Sequence, residues 1–128
     1  MRLLLDTHAL IWWLAGDRAL SRFARAAIEN PSNAILVSAV SAFETATKHR
    51  LGKLPEADEL VFRFAETIRG QGFEPLPITL THALEGGRLD LAHKDPFDRL
   101  LIAQARIEDL VLVSNERIFE EAAIERLW

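Results

Sequence analysis

The sequence contains no cysteine among its 128 residues. Disulfide frameworks, thiolate zinc sites and iron–sulfur clusters are therefore excluded. Long apolar runs are also missing, because Asp6 and His8 interrupt the apolar N-terminal stretch and the following segment 9–15 is too short to cross a bilayer. We therefore expect a soluble protein with no membrane segment, located in a reducing compartment such as the cytoplasm.

An excess of basic residues is missing as well, since the formal charge is −4. Proteins that coat nucleic acid are usually basic, so the charge argues against broad non-specific nucleic-acid binding. It remains compatible with a nuclease whose own acids hold a divalent cation, because a bound cation reverses the local electric field.

Short apolar strands alternate with helices along the chain. Strands are predicted at Leu3–Leu5, Ile35–Val37 and Val111–Val113, with an extended piece at Glu74–Pro77 and an edge strand at Ile124–Leu127. Helices are predicted at about 7–14, 21–30, 38–51, 57–69, 81–86, 95–105 and 117–122. This alternation indicates an α/β fold with a parallel sheet covered on both faces. We expect residues 1–128 to form one domain, since no linker or repeat interrupts them.

Four acids occur where the predicted strands end and the next helices begin. Asp6 ends the first strand, Glu44 lies in the helix after the second, and Glu116 follows the third. Asp98 lies in the first turn of a helix that Asp95 would cap. Because the carboxyl ends of parallel strands share one edge of a sheet, these acids are expected to converge. A divalent cation would remove their mutual repulsion, and oxygen donors favour Mg²⁺ or Mn²⁺ over zinc.

Helix capping gives each acid a second interpretation. Asp6 would cap the first helix, and Ser41 with Glu44 matches the capping box. Asp98 would be the third position of a capped helix, and Glu116 a first-turn acid favoured by the helix dipole. Singly, each acid fits capping at least as well as metal binding. The four together, at one predicted edge, favour a metal site.

Two other functions remain open at this point. A phosphotransferase would use Asp6 as a covalent nucleophile, but that chemistry needs a second aspartate two positions later, where this chain has His8. A non-catalytic, doubly wound binding module would use the acids only as caps. Titration with Mg²⁺ separates the second case, because a bound ion stabilises the folded state by mass action.

Four segments, LLLDTHALIWWL, VSAVSAFETATK, HKDPFDRLLIAQA and LVLVSNERIF, occur in an order and spacing that resemble PIN-domain proteins. The resemblance is closest to the VapC-type toxins of bacterial toxin–antitoxin pairs and covers nearly the whole chain. It implies a PIN-like three-layer α/β/α fold with a central parallel sheet. It also implies a Mg²⁺- or Mn²⁺-dependent endoribonuclease that cleaves tRNA or other structured RNA, forms a homodimer and is inhibited by a VapB-type antitoxin. DNA stays open as a substrate, since no residue clearly reads a 2′-hydroxyl.

The resemblance assigns roles residue by residue. The family's metal-binding acids fall on Asp6, Glu44 and Asp98, with Asp95 competing for the third place. The fourth family acid is commonly an aspartate, and here Glu116 replaces it, so we expect Glu116 to contact the ion through water. The residues expected to orient these carboxylates or assist them are Thr7, Asp95, Ser114 and Asn115. The candidate RNA contacts are Lys48, Arg50, Lys53 and Arg99.

Trp12 and Trp13 are adjacent on the first predicted helix. Neighbouring helical side chains point about 100° apart, so the two rings are not expected to be equally buried. One would pack in the core, and the other would lie in a homodimer or partner interface or stay partly exposed.

Overall fold

A computed structural model describes residues 1–128, with a sheet of five parallel strands at its centre. The strands are β1 (Arg2–Leu5), β2 (Ala34–Ser38), β3 (Glu74–Leu76), β4 (Val111–Val113) and β5 (Arg126–Leu127). Their spatial order is β3-β2-β1-β4-β5, and every neighbouring pair is parallel. The predicted parallel sheet is therefore confirmed, and the last edge strand is shorter than the sequence pattern indicated.

Helices connect the strands. They are α1 (Thr7–Ala15), α2 (Arg22–Glu29), α3 (Ala39–Arg50), α4 (Asp58–Phe62), α5 (Phe64–Gly70), α6 (Leu80–Arg88) and α7 (Pro96–Ile107), with 3₁₀ turns at Pro55–Ala57 and Arg117–Ala122. The single helix predicted at 57–69 is wrong, because the backbone of Arg63 (φ −132°, ψ 32°) leaves the helical region and separates α4 from α5. None of the helices is both long and apolar enough to span a membrane.

The sheet is buried on both faces, which explains the uninterrupted apolar sequence of its central strand. Leu3 and Leu5 of β1 pack on one face with side chains of α1, α2 and α5. Leu4 packs on the opposite face with side chains of α3 and α7 and with Leu89, which follows α6. Successive strand residues point to opposite faces, so one short strand contributes to both cores. The predicted three-layer α/β/α architecture is confirmed.

Both adjacent tryptophans of α1 are half-buried and pack against the core, so neither is fully enclosed in it as expected for one of them. The Trp12 ring lies 5.8 Å from the ring of Trp128, which covers it from the end of the chain. The Trp13 ring packs on Phe73, and its indole N–H donates to the Gln71 side chain at 3.0 Å. Contacts within the chain therefore cover part of each ring.

The strand order reverses between β1 and β4. β2 and β3 lie in turn on one side of β1, and β4 and β5 lie in turn on its other side. Leu5 pairs with Val113, and the Asp6 N–H donates to the Val113 carbonyl at 3.0 Å. The residues that follow β1 and β4 therefore lie side by side. In open parallel sheets, ligand sites form in the crevice at this reversal.

Candidate functional site

A recess of about 60 Å³ opens at the carboxyl ends of β1 and β4. Its lining side chains, of which only one is apolar, are Asp6, Thr7, His8, Glu44, Lys48, Asp95, Asp98, Leu101 and Glu116. The four acids singled out in the sequence thus come from four separate segments to one place.

Asp6 both caps α1 and faces the recess. Its Oδ1 accepts a hydrogen bond from the Ala9 N–H at 2.8 Å, and its carboxylate is also hydrogen-bonded by the Ser114 side chain. The residue is 5% exposed. This burial raises the pKa of the Asp6 carboxyl, and the negative charge of Glu116 adds to the effect, while the bonds from Ser114 and Ala9 oppose it. Capping and site functions therefore coexist in one residue.

Glu44 is held in the recess by two side chains. Its Oε1 accepts from the Thr7 hydroxyl at 2.6 Å, and its Oε2 pairs with the Lys48 ammonium at 2.7 Å. The capping-box interpretation of Ser41 and Glu44 is wrong, because α3 begins earlier, with the Ser38 hydroxyl accepting from the Val40 N–H. Thr7 is the first residue of α1, after the cap Asp6, and its hydroxyl orients Glu44 as expected.

The two candidates for the third acid have different contacts. Asp95 caps α7, accepting from the N–H groups of Phe97 at 2.8 Å and Asp98 at 3.3 Å. The Asp98 Oδ2 lies 2.6 Å from the His93 Nε2. Burial raises the pKa of the Asp98 carboxyl to about 6, and the charges of Asp95 and Glu116 also raise it, against the lowering effect of His93. Sequence reasoning missed His93, since no ligand spacing marks it.

The segment after β4 supplies the fourth acid. The Glu116 N–H donates to the Ser114 hydroxyl at 3.1 Å, which fixes the turn that carries the side chain. The Glu116 carboxylate has no hydrogen-bond partner in the protein and remains open toward the recess. Asn115 is exposed. His8, which occupies the position of a phosphotransferase's second aspartate, lines the recess and stacks on Trp12.

The four cations predicted to meet RNA are placed differently from one another. Lys48 lines the recess, whereas Arg50 and Lys53 are exposed beyond it, at and after the end of α3. The Arg99 guanidinium does not face the recess, because it donates to backbone carbonyls of the segment 86–93. Of the four predicted RNA contacts, only Lys48 therefore borders the acids, and it is paired with Glu44.

The donor chemistry of the recess fits a hard divalent cation. As the side chains are placed in this structure, no group of three or more aspartate, glutamate or histidine residues is arranged to hold a metal ion. Mg²⁺ rarely needs such an enclosure, because it keeps several water ligands and binds to one or two carboxylates. One carboxylate oxygen of Asp6 accepts from the Ala9 N–H, and one of Asp98 contacts His93. The carboxylate of Glu116 has no hydrogen-bond partner. This arrangement matches an open, hydrated site.

The raised pKa of Asp98 predicts a pH dependence of stability in the presence of a chelator. The folded state favours the protonated carboxyl, so its contribution is complete below the ordinary value of 3.8 and is lost as the pH rises through about 6. Asp98→Asn, which cannot ionise, should therefore gain stability relative to the wild type between about pH 4 and 6. Urea unfolding of both proteins across this range measures the difference. Asp90→Asn, an exposed control, should show the same pH dependence of stability as the wild type. If the stability of Asp98→Asn also changed with pH in parallel with the wild type, the raised pKa of Asp98 would be contradicted.

Comparison with known families matches residues 3–125 to the family model described as PIN domain. One curated relative, Ribonuclease VapC16 of Mycobacterium tuberculosis, is 38% identical over 58 residues. That match covers 45% of this chain and 41% of the relative, so the chain aligns with less than half of the relative's length.

Solved structures also resemble this fold. VapBC2 from Rickettsia felis, bound to a DNA fragment from its promoter, superposes with a TM-score of 0.71 at 16% identity, covering 98% of this chain and 97% of the other. A toxin–antitoxin complex from Klebsiella pneumoniae gives a TM-score of 0.61 at 23% identity, covering 89% and 86%. At these identities the similarity establishes the fold.

Proposed function

Because the chain belongs to the PIN-domain family, we propose that residues 1–128 act as a single domain with the activity of a VapC-type toxin, a divalent-metal-dependent endoribonuclease. The convergence of Asp6, Glu44, Asp98 and Glu116 in one recess is the observation that carries the proposal. The name of the curated relative supports RNA as the substrate, in preference to DNA. Structured RNA, including tRNA, is the proposed target.

The hydrogen bonds suggest how the acids would share a Mg²⁺ or Mn²⁺ ion. Asp6 and Asp98 would bind the ion directly. Asp6 would use the carboxylate oxygen that does not accept from the Ala9 N–H, and Asp98 the oxygen that does not contact His93. Both oxygens of Glu44 are engaged by Thr7 and Lys48, so Glu44 would act through water or exchange one of these partners. Thr7 and Ser114 keep the carboxylates oriented.

The proposed reaction is in-line hydrolysis of a phosphodiester. The ion, when bound, would acidify the attacking water and offset charge on the phosphate. The Glu116 carboxylate, open at the rim of the recess, is the candidate acceptor for the proton of that water. Since water and not the 2′-hydroxyl attacks, the products would carry 5′-phosphate and 3′-hydroxyl ends.

Mapping the ends of total cellular RNA after induction tests this function. We expect new 5′-phosphate ends at a limited set of RNA sites, and none after induction of Asp6→Asn. Cyclic 2′,3′-phosphate ends would contradict attack by water. Cleavage of single-stranded DNA at a rate equal to that of RNA would favour the alternative of a DNA nuclease.

The proposal includes two protein partners. A VapB-type antitoxin would cover the recess, and a basic side chain from it would pair with the acids. A second copy of the chain would form a homodimer. The similarity to the VapBC2 structure from Rickettsia felis and to the toxin–antitoxin complex from Klebsiella pneumoniae supports the first partner. Exposed apolar side chains such as Phe43 and Leu80, which are 64% and 85% exposed, offer surface for such contacts.

Arg50 and Lys53 are predicted to contact RNA phosphates. In the double variant Arg50→Gln/Lys53→Gln, the loss of kcat/KM with rising salt should become shallower, because fewer counterions are released on binding. For single-stranded segments, we expect the logarithmic slope to fall by about 1.4 for two lost contacts. Lys48 is left intact because it pairs with Glu44.

The matched control for this experiment is Arg18→Gln/Arg22→Gln, which removes two exposed arginines at and before the start of α2. Its salt slope should equal that of the wild type. Equal salt slopes for all three proteins would show that Arg50 and Lys53 do not contact RNA.

A further inference from the structure

All five N–H groups of the Arg99 guanidinium donate to backbone carbonyls of one segment. The acceptors are the carbonyl oxygens of Gly86 (2.9 Å), Leu91 (3.0 Å), His93 (2.9 Å), Gly87 (3.4 Å) and Leu89. Guanidinium donors form a planar fork with fixed directions, so five acceptors can surround it only if the segment curves around the side chain. Arg99 is therefore the centre of an ordered loop.

The loop lacks the hydrogen bonds of a helix or strand over much of its length. Gly86 and Gly87 lie in the last turns of α6, and residues 90–95 join that helix to α7 without regular structure. Buried or half-buried carbonyls need donors, and Arg99 provides them. The two helices also approach closely here, since a Cβ atom on Gly86 would lie 3.3 Å from the Arg99 carbonyl oxygen.

The same loop brings a side chain to the recess. His93, whose carbonyl oxygen accepts from Arg99, places its Nε2 2.6 Å from the Asp98 Oδ2. Arg99 therefore influences both members of the His93–Asp98 pair. It directly follows Asp98 on α7, and its hydrogen bond to the His93 carbonyl fixes the backbone that carries His93. Its charge is directed into the loop and away from the recess.

We propose that Arg99 is a positioning residue, which holds the segment 86–93 so that His93 fixes the orientation of the Asp98 carboxylate. The proposal rests on the nuclease function proposed above, since it assigns a role within that site. It replaces the expectation that Arg99 contacts RNA, because a guanidinium with five internal acceptors has no donor left for a phosphate.

The test uses Arg99→Lys, which keeps the positive charge but loses the planar fork. If Arg99 positions the loop, kcat for RNA cleavage should fall by about ten- to a hundredfold, since small misplacements of reacting groups have effects of this size. KM and the salt dependence should stay within about twofold of the wild type. Amide hydrogen exchange should accelerate by about tenfold or more at Leu89, whose N–H donates to the Glu85 carbonyl at 3.0 Å, and remain unchanged in β1 and β4.

Arg88→Lys is the matched control, because Arg88 is an exposed arginine at the end of α6, beside the same loop. It should behave as the wild type in both kinetics and exchange. His93→Ala should lower kcat by a similar factor to Arg99→Lys, and the double variant should lose little more, because the two residues act in series.

Two results would overturn the proposal. A higher KM and a shallower salt dependence in Arg99→Lys, with unchanged kcat and exchange, would show that Arg99 contacts phosphate instead. Unchanged exchange at Leu89 would show that the segment does not depend on the guanidinium. If the wild type fails to cleave RNA with any divalent ion, the proposed function fails, and accelerated exchange in Arg99→Lys would still support the loop-holding role.

Discussion

Asp6→Asn should reduce RNA cleavage by about a thousandfold or more while leaving the fold intact. Asparagine keeps an oxygen that can accept from the Ala9 N–H, so the cap of α1 is preserved. The change removes one of the negative charges that line the recess, and the loss of one strong electrostatic contribution in an active site typically has an effect of this size. Single-turnover cleavage of a defined RNA measures the rate.

The same variant should be at least as stable as the wild type in the presence of a chelator. Burial raises the pKa of Asp6, which means that the ionised carboxyl opposes folding near neutral pH. Thermal unfolding of the purified proteins tests this expectation. Asp90→Asn is the matched control and should keep both activity and stability. Wild-type cleavage by Asp6→Asn, with contaminating nucleases excluded, would contradict the assigned site.

Removing divalent ions should have an effect of similar size. With EDTA in excess, we expect cleavage to fall to the background seen with Asp6→Asn, because clustered carboxylates repel a phosphate unless a cation intervenes. Millimolar Mg²⁺ or Mn²⁺ should restore the rate. Time courses before and after chelation, and after the ion is added back, measure both steps. Full activity in EDTA would point to a metal-independent reaction.

The position of the acids could be predicted because the signals are local. Apolar runs such as Leu3–Leu5 mark buried strands, and an acid directly after such a run lies at the strand's carboxyl end in any parallel sheet. The resulting prediction, convergence at one edge, agrees with the recess that contains Asp6 and Glu116. The two-sided core follows the same logic, whereas the order of the strands in the sheet was not predicted.

The partners of individual side chains were less predictable, because they depend on distant segments. Ser38 and Ser41 are both plausible helix starts, and only packing decides that Ser38 caps α3 and leaves Glu44 to Thr7. Arg99 looked like a free cation, since its carbonyl partners belong to a loop without a sequence signature. His93 reaches Asp98 through that loop.

The central claim is that separate carboxylates form one binding site for a divalent ion. Calorimetric titration of the RNA-free protein with Mn²⁺ near neutral pH tests it most directly. The wild type and Asp90→Asn should bind Mn²⁺ with equal affinity, and Asp6→Asn and Asp98→Asn should each bind at least about tenfold more weakly. Equal affinity in all four proteins, or no binding by the wild type, would contradict the claim.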